Sequence, residues 1–387
     1  MNYNNPPKNG STIIIRVMCA IVFILFSFCW LYFFEADVMQ MAQHVLSGGL
    51  THYNRLVGAI VLTLLLYLLQ VIITHFVKLM THAYALSYFP SMLLLAMLTS
   101  VRQLGSSDIT HDFSWWGVAL VSVLWLFLVF LAHIARELDD DRQGAGLFSR
   151  QMWINILLMS LMIMGVAWIG NSNAVFHYRM AVEKNLLEGD VEDALKVGRK
   201  SLESDHNLLM LRMYALARHD ELGEHLFEYP VTGNSDVMLP TGGLSGMLLY
   251  PVDSLYRYLG ARPGEKLAPM RYLTLLQRRD SLPHRKAVDD YLLCGLLIDR
   301  QLDRFASEVG RRYQINDSLP KHYREALILY RHQRAHPVVV YHHAVMDEDY
   351  DNLQALKKEY PRRSEQHVKV EEQYNGTYWY YYEYGEK

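Results

Sequence analysis

The first 170 residues alternate long apolar runs with short polar joints, whereas the rest alternates short amphipathic runs with turn residues. The apolar runs cover 12–34, 56–77, 83–101, 115–135 and 152–170. A helix needs about 20 apolar residues, rising about 1.5 Å each, to cross a hydrocarbon core. The runs at 56–77, 83–101, 115–135 and 152–170 hold no Lys, Arg, Asp or Glu, and the first holds only Arg16, near its start. A long basic side chain there reaches the head groups. The pattern therefore predicts about five transmembrane helices in contact with a lipid bilayer. The first is expected to be retained, because it is longer than a signal peptide's apolar core and no small-residue cleavage site follows. The third run is the weakest, since Pro90 lies inside it and only residues 78–82 separate it from the second. Proline removes a backbone donor and kinks a helix, so a re-entrant hairpin is the alternative there.

Charge follows the same division. Of 37 basic and 40 acidic residues, residues 1–170 hold eight of each, leaving 29 and 32 for residues 171–387. That nearly balanced half has no basic excess for a phosphate backbone, which disfavours nucleic-acid binding. With a cytoplasmic N-terminus, Lys8, Arg16, Lys78, Arg136, Arg142 and Arg150 flank the spans on the inner side, against Arg55, Arg102, Arg179 and Lys184 outside. The majority obeys the rule that basic residues stay inside. Five spans then place the C-terminal half outside the cytoplasm, in the periplasm of a Gram-negative cell. Gln70, Thr74, His75, His133 and Asn155 lie within or at the ends of the runs. Interhelical or interfacial hydrogen bonding is expected of them in preference to an ion path. Cys19 and Cys29 share the first run, and Cys294 stands alone beyond it.

Residues 171–387 show no two-residue alternation, and a soluble all-α domain is expected. Its clearest stretch runs from Leu186 to Asn207. Gly189 stands at a turn, Ala194 five positions on, and Asp205-His206-Asn207 closes the stretch. It resembles a tetratricopeptide repeat, in which glycine closes the turn between paired helices and a small residue lets them approach. The resemblance implies stacked helix pairs with a concave binding surface. Residues 289–313 look like a second unit turning near Arg300, and residues 348–353 like a third turn. Residues 230–246, rich in Gly, Pro, Ser and Thr, are predicted to be a loop and lack the Gly-Lys-Ser/Thr of a phosphate cradle.

Candidate chemistry is sparse. Glu35 and Asp37, just after the first span, resemble the acidic pair that lipid-linked-sugar glycosyltransferases carry in their first external loop to hold a divalent metal. His332 and His336 have the spacing that stacks two imidazoles on one helix face, with His342 and His343 nearby, but no third ligand or His-Glu-x-x-His motif completes a metal site. Asp139, Asp140 and Asp141 read as a solvated turn. The rings of Tyr378, Trp379, Tyr380, Tyr381, Tyr382 and Tyr384 are expected to cover the open face of the last helix pair. No cofactor is expected. The chain thus reads as a membrane-anchored interaction protein with a protein or peptide partner, the alternative being a membrane enzyme or transporter of glycolipid or envelope assembly using Glu35 and Asp37.

Overall fold

The computed structural model describes residues 9–77, 79, 81–104, 108–111, 114–134, 149–279, 282 and 284–385. It is helical apart from one two-stranded hairpin among the described residues. The chain divides into two compact units, Met1–Asn173 and Ala174–Lys387. Lys8, Lys78, Arg136, Arg142 and Asp139 to Asp141 lie outside the described residues.

In the first unit, α1 (Asn9–Cys29) runs into a π turn (Trp30–Phe34). Then come α2 (Ala36–Leu46), α3 (Arg55–Val77), a 3-10 stretch (Thr81–Tyr88) and α4 (Phe89–Thr99). The strands β1 (Val101–Leu104) and β2 (Asp108–His111) pair antiparallel, Val101 opposite His111, before α5 (Trp115–Ile134) and α6 (Arg150–Ile169). Ile13–Phe34, Arg55–Val77, Trp115–Ile134 and Arg150–Ile169 are long and apolar enough to cross a membrane. The run expected third forms a shorter apolar helix, Ala83–Thr99.

Pro90 explains the shortness. It sits in the first turn of α4, where a missing N–H is not needed, and the chain before it takes the tighter 3-10 form. The 3-10 stretch is itself interrupted at Ala83, where the backbone is not helical (φ −120°, ψ 23°).

Side-chain pairings fix the direction of each pass. The Arg16 guanidinium lies 5.4 Å from the Tyr84 ring centre, Phe23 meets Tyr88 at 5.0 Å, and Trp30 Nε1 donates to Thr99 Oγ1 over 3.4 Å. α1 and the segment ending in α4 therefore advance together. α6 advances with them, because Ala85 N donates to Asn155 Oδ1 (2.7 Å) and Asn171 N to Thr99 O (3.0 Å). α3 runs the other way: Gln70 donates to Ser87 Oγ (3.0 Å) while Ser91 Oγ donates to Leu66 O (2.8 Å). So does α5, whose Trp125 donates to Leu86 O (2.9 Å) while His133 and Ile134 line a groove with Val77. α1, the segment ending in α4, and α6 therefore run parallel, and α3 and α5 oppose them.

Of the polar residues expected to bond between helices, Gln70 and Asn155 do so, whereas the Thr74 hydroxyl donates within α3 to Gln70 O (3.0 Å). Gln70 reaches Thr74 (2.8 Å), Tyr84 (3.3 Å) and Ser87, and Asn155 supplies the acceptor that the broken segment lacks. His75 instead lies edge-on to Phe76. α5 buries no side chain, as expected of a helix facing lipid.

The second unit comprises α7 (Ala174–Glu188), α8 (Val191–Lys196), α9 (His206–Arg218), α10 (Leu222–His225) and α11 (Val252–Leu259). It continues with α12 (Pro269–Gln277), α13 (Arg285–Ile298), α14 (Leu302–Arg312), α15 (Lys321–Gln333), α16 (Ala344–Glu359), α17 (Arg363–Tyr374) and α18 (Tyr378–Tyr384). Its core lies along α9, α13 and α15, where nearly every side chain from Leu208 to Ala217, Tyr291 to Ile298 and His322 to Tyr330 is buried.

Gly189 turns with φ +83° between α7 and α8, and Ala194 is buried in that corner. However, α8 has only six residues, too few to pair with α7 along its fifteen. α13 and α14 turn at Arg300 (φ +57°), near the expected place. Residues 348–353 form no third turn, because they lie within α16, where Tyr350 and Leu353 face the core. Residues 230–246 are a loop with two single 3-10 turns, packed through Val237, Met238 and Leu239.

Asn155→Leu leaves Ala85 N–H without its acceptor in a region where water cannot replace it. The bundle should lose about 1–2 kcal/mol, read as a lower denaturation midpoint in detergent, while lipid-facing Ser160→Ala should leave it unchanged. An unchanged midpoint for Asn155→Leu would remove this account of the broken segment.

Candidate functional site

Glu35 ends the π turn, donating its N–H to Trp30 O (2.9 Å), and opens α2. Its side chain is buried under Gly170, where an added Cβ would come within 2.7 Å of Trp30 and 3.0 Å of Glu35 Oε1. Asp37 lies half-buried in the first turn of α2, a favourable place for a negative charge. Arg55 completes the corner, donating to Tyr32 O and Phe33 O and lying 4.9 Å from the Tyr32 ring centre. The Glu35 side chain is enclosed, whereas Asp37 keeps partial exposure. Among the described residues no three His, Cys, Asp or Glu side chains are grouped to hold a metal.

The histidines do not share a helix face, because α15 ends at Gln333 and His336 lies beyond it. His332 packs 4.7 Å from Tyr350, with Arg331 Nη2 2.8 Å from its Nε2. His343 caps α16, accepting from Met346 N (3.3 Å). The aromatic tail is core: Tyr378, Trp379 and Tyr381 are buried, with Tyr378 and Tyr381 both against Phe227.

Two buried polar networks had no clear sequence signal. His322 accepts from Phe227 N at Nε2 (3.2 Å), which leaves its Nδ1 proton to donate to Glu325 Oε2 (2.8 Å). The same Glu325 oxygen accepts from Tyr378 N (2.7 Å), and Glu325 O accepts from Trp379 Nε1 (2.7 Å). This His–Glu pair resembles a catalytic dyad in spacing, but both side chains are enclosed and every facing group is a protein partner. It ties α15 to α18 and to residues 226–228. In the second network Asp290 accepts from Tyr313 (2.6 Å) and Tyr323 (2.8 Å), with Cys294 Sγ 3.6 Å from Tyr323. Burial pushes the Asp290 carboxyl up to about 6, against the pull of those two hydroxyls.

The most accessible chemistry lies on the surface, in a concavity of about 420 Å³ between α12, α13 and α14. Five arginines line it: Arg278, Arg285, Arg304, Arg311 and Arg312. Arg312 is anchored by Asp289 (3.1 Å), Gln277 (2.8 Å) and Glu308, and Arg311 pairs with Glu308 (3.0 Å). Buried Leu292 and Leu296 contribute apolar lining.

Residues 268–385 match a protein family described only as a family of unknown function (DUF6057). The matched stretch contains the whole arginine-lined concavity, both buried networks except Phe227, and the aromatic tail. No curated protein and no solved structure matches the chain.

Asp290 gives a pH signature. Its folded-state value is raised, so its contribution to stability is fully present below about pH 4 and is lost as pH rises through about 6. The swing is on the order of 2–3 kcal/mol. Asp290→Asn keeps an oxygen for Tyr313 and Tyr323 but cannot titrate. Urea unfolding at a series of pH values should show the parent gaining on this variant as pH falls across that window. Parallel curves would contradict the assignment.

Proposed function

We propose that this chain is a membrane-anchored interaction protein: five passes hold the helical unit on the side of the membrane opposite the N-terminus, where it engages a protein or peptide. The observation that carries the anchoring is the alternation of direction through α1, α3, the segment ending in α4, α5 and α6. An odd number of passes separates the two ends of the bundle.

Basic-residue placement supports a cytoplasmic N-terminus, and local geometry strengthens it. Arg16 and Arg150 are exposed at the same end of the bundle, whereas Arg179, counted on the opposite side, is buried in an ion pair with Glu183 (3.0 Å). A charge neutralised inside a folded unit has little influence on insertion. The helical unit is accordingly extracytoplasmic, in the periplasm if the membrane is a bacterial inner membrane. Support for a macromolecular partner comes from Val338, Val340 and Val345, which are 80%, 54% and 62% exposed around the link between α15 and α16. Apolar side chains gathered on a folded surface mark contact sites more often than isolated ones do. That the helix pairs form a tetratricopeptide-type groove belongs to the same proposal and is supported by the α13–α14 pair turning at Arg300.

Paired C-terminal reporters test the placement. One that is active only outside the cytoplasm should give signal, and one fluorescent only inside should be dark. The reverse pattern would overturn the extracytoplasmic reading.

A further inference from the structure

We propose that the concavity between α12, α13 and α14 is a binding site for a compact, multiply charged phosphate group. The argument starts from charge pairing. Among the described residues the acids in the lining are Asp289 and Glu308, engaged by Arg312 and Arg311. That leaves Arg278, Arg285 and Arg304 with no carboxylate partner among the described residues; Arg304 bonds only to the neutral Gln301 side chain, at 2.6 Å.

Among the described residues, three guanidinium groups without a carboxylate partner line one recess of a chain whose net charge is −3. Like charges held around a concavity repel, and an anion between them relieves that repulsion. All five basic side chains in the lining are arginine. Arginine offers a planar fork that matches phosphate or carboxylate oxygens in pairs, where lysine offers a point charge. Three positive charges favour a phosphate monoester or diphosphate, with two or three negative charges, over a single carboxylate. Arg312, only 12% exposed and fixed by three partners, supplies a rigid wall.

Shape narrows the class further. The volume of about 420 Å³ is that of a small-ligand site. No aromatic ring lines it, so a nucleic-acid strand would find no stacking platform. The phosphate can come from a soluble phosphorylated compound or from a lipid head group. The inference does not rest on the partner-binding role, because the probes below are titrated with no protein partner present.

The test uses the full chain in nanodiscs of neutral lipid, titrated calorimetrically with inorganic pyrophosphate and, separately, with short-chain phosphatidic acid. Saturable binding of at least one probe is expected, weakening as salt rises. Binding of pyrophosphate indicates a soluble ligand, and binding of phosphatidic acid alone indicates a lipid. Arg285→Gln with Arg304→Gln should weaken the interaction at least tenfold, while Arg271→Gln, on α12 outside the lining, should leave it unchanged. Circular dichroism checks that the double variant is folded, and Arg278→Gln gives a milder second variant. No saturable binding of either probe, equal binding by folded variants and parent, or tighter binding of an oligoglutamate peptide would each overturn the proposal.

Discussion

Inside a bilayer each backbone N–H and C=O must be satisfied by protein, and the membrane unit is organised around the one segment that cannot do this alone. Proline at position 90 forbids a continuous helix from 81 to 99, and the resulting 3-10 stretch leaves donors and acceptors for neighbours to meet. Asn155 takes Ala85 N–H and Trp125 donates to Leu86 O, while just past the stretch the Ser91 hydroxyl donates to Leu66 O of α3. Each of these bonds joins a different helix to the break or to the turn that follows it. The weakest run thus becomes the element around which α3, α5 and α6 are oriented, and α1 follows it through Tyr84, Tyr88 and Thr99.

The second unit is organised differently. Its core forms by burying apolar helices, and several of its buried polar groups are joined in hydrogen-bonded networks. Glu183 shows the pattern: paired with Arg179, it also accepts from the backbone N–H groups of Leu248, Leu249 and Tyr250, pinning a loop onto α7. The His322–Glu325 pair does the same for the aromatic tail. What remains for function is the surface, chiefly the arginine-lined recess and the exposed valines.

Much of this architecture is legible in the sequence, and the limits are physical. Length and apolarity reveal the four long helices, and the interhelical bonds of Gln70 and Asn155 are what polar groups among apolar helices require. Pro90 marks the break, but a chain pattern alone does not show the direction the segment takes beside its neighbours; its pairings with Leu66, Asn155, Trp30 and Asn171 do. The β1–β2 hairpin escapes because four-residue strands have too little pattern. The acidic run at 348–353 looks like a turn until Tyr350 and Leu353 are seen facing the core, three residues apart as a helix requires. Arg278, Arg285, Arg304, Arg311 and Arg312 span 35 positions and meet only because α12, α13 and α14 pack together; the seven-residue spacing of Arg304 and Arg311, two turns apart on one face, is their only local trace. Glu35 and Asp37, two positions apart in sequence, differ in burial, Glu35 being enclosed and Asp37 partly exposed.

The central claim is that the segment ending in α4 crosses the membrane. Its most direct test places single cysteines at His52 and Ser114, both exposed, in a chain whose Cys19, Cys29 and Cys294 are replaced by alanine, and labels each with a membrane-impermeant maleimide. If the segment crosses, α3 and the segment together return the chain to the side it left, and both cysteines are labelled from the same side. Labelling of the two from opposite sides would mean that the segment turns back, leaving four passes and contradicting the account.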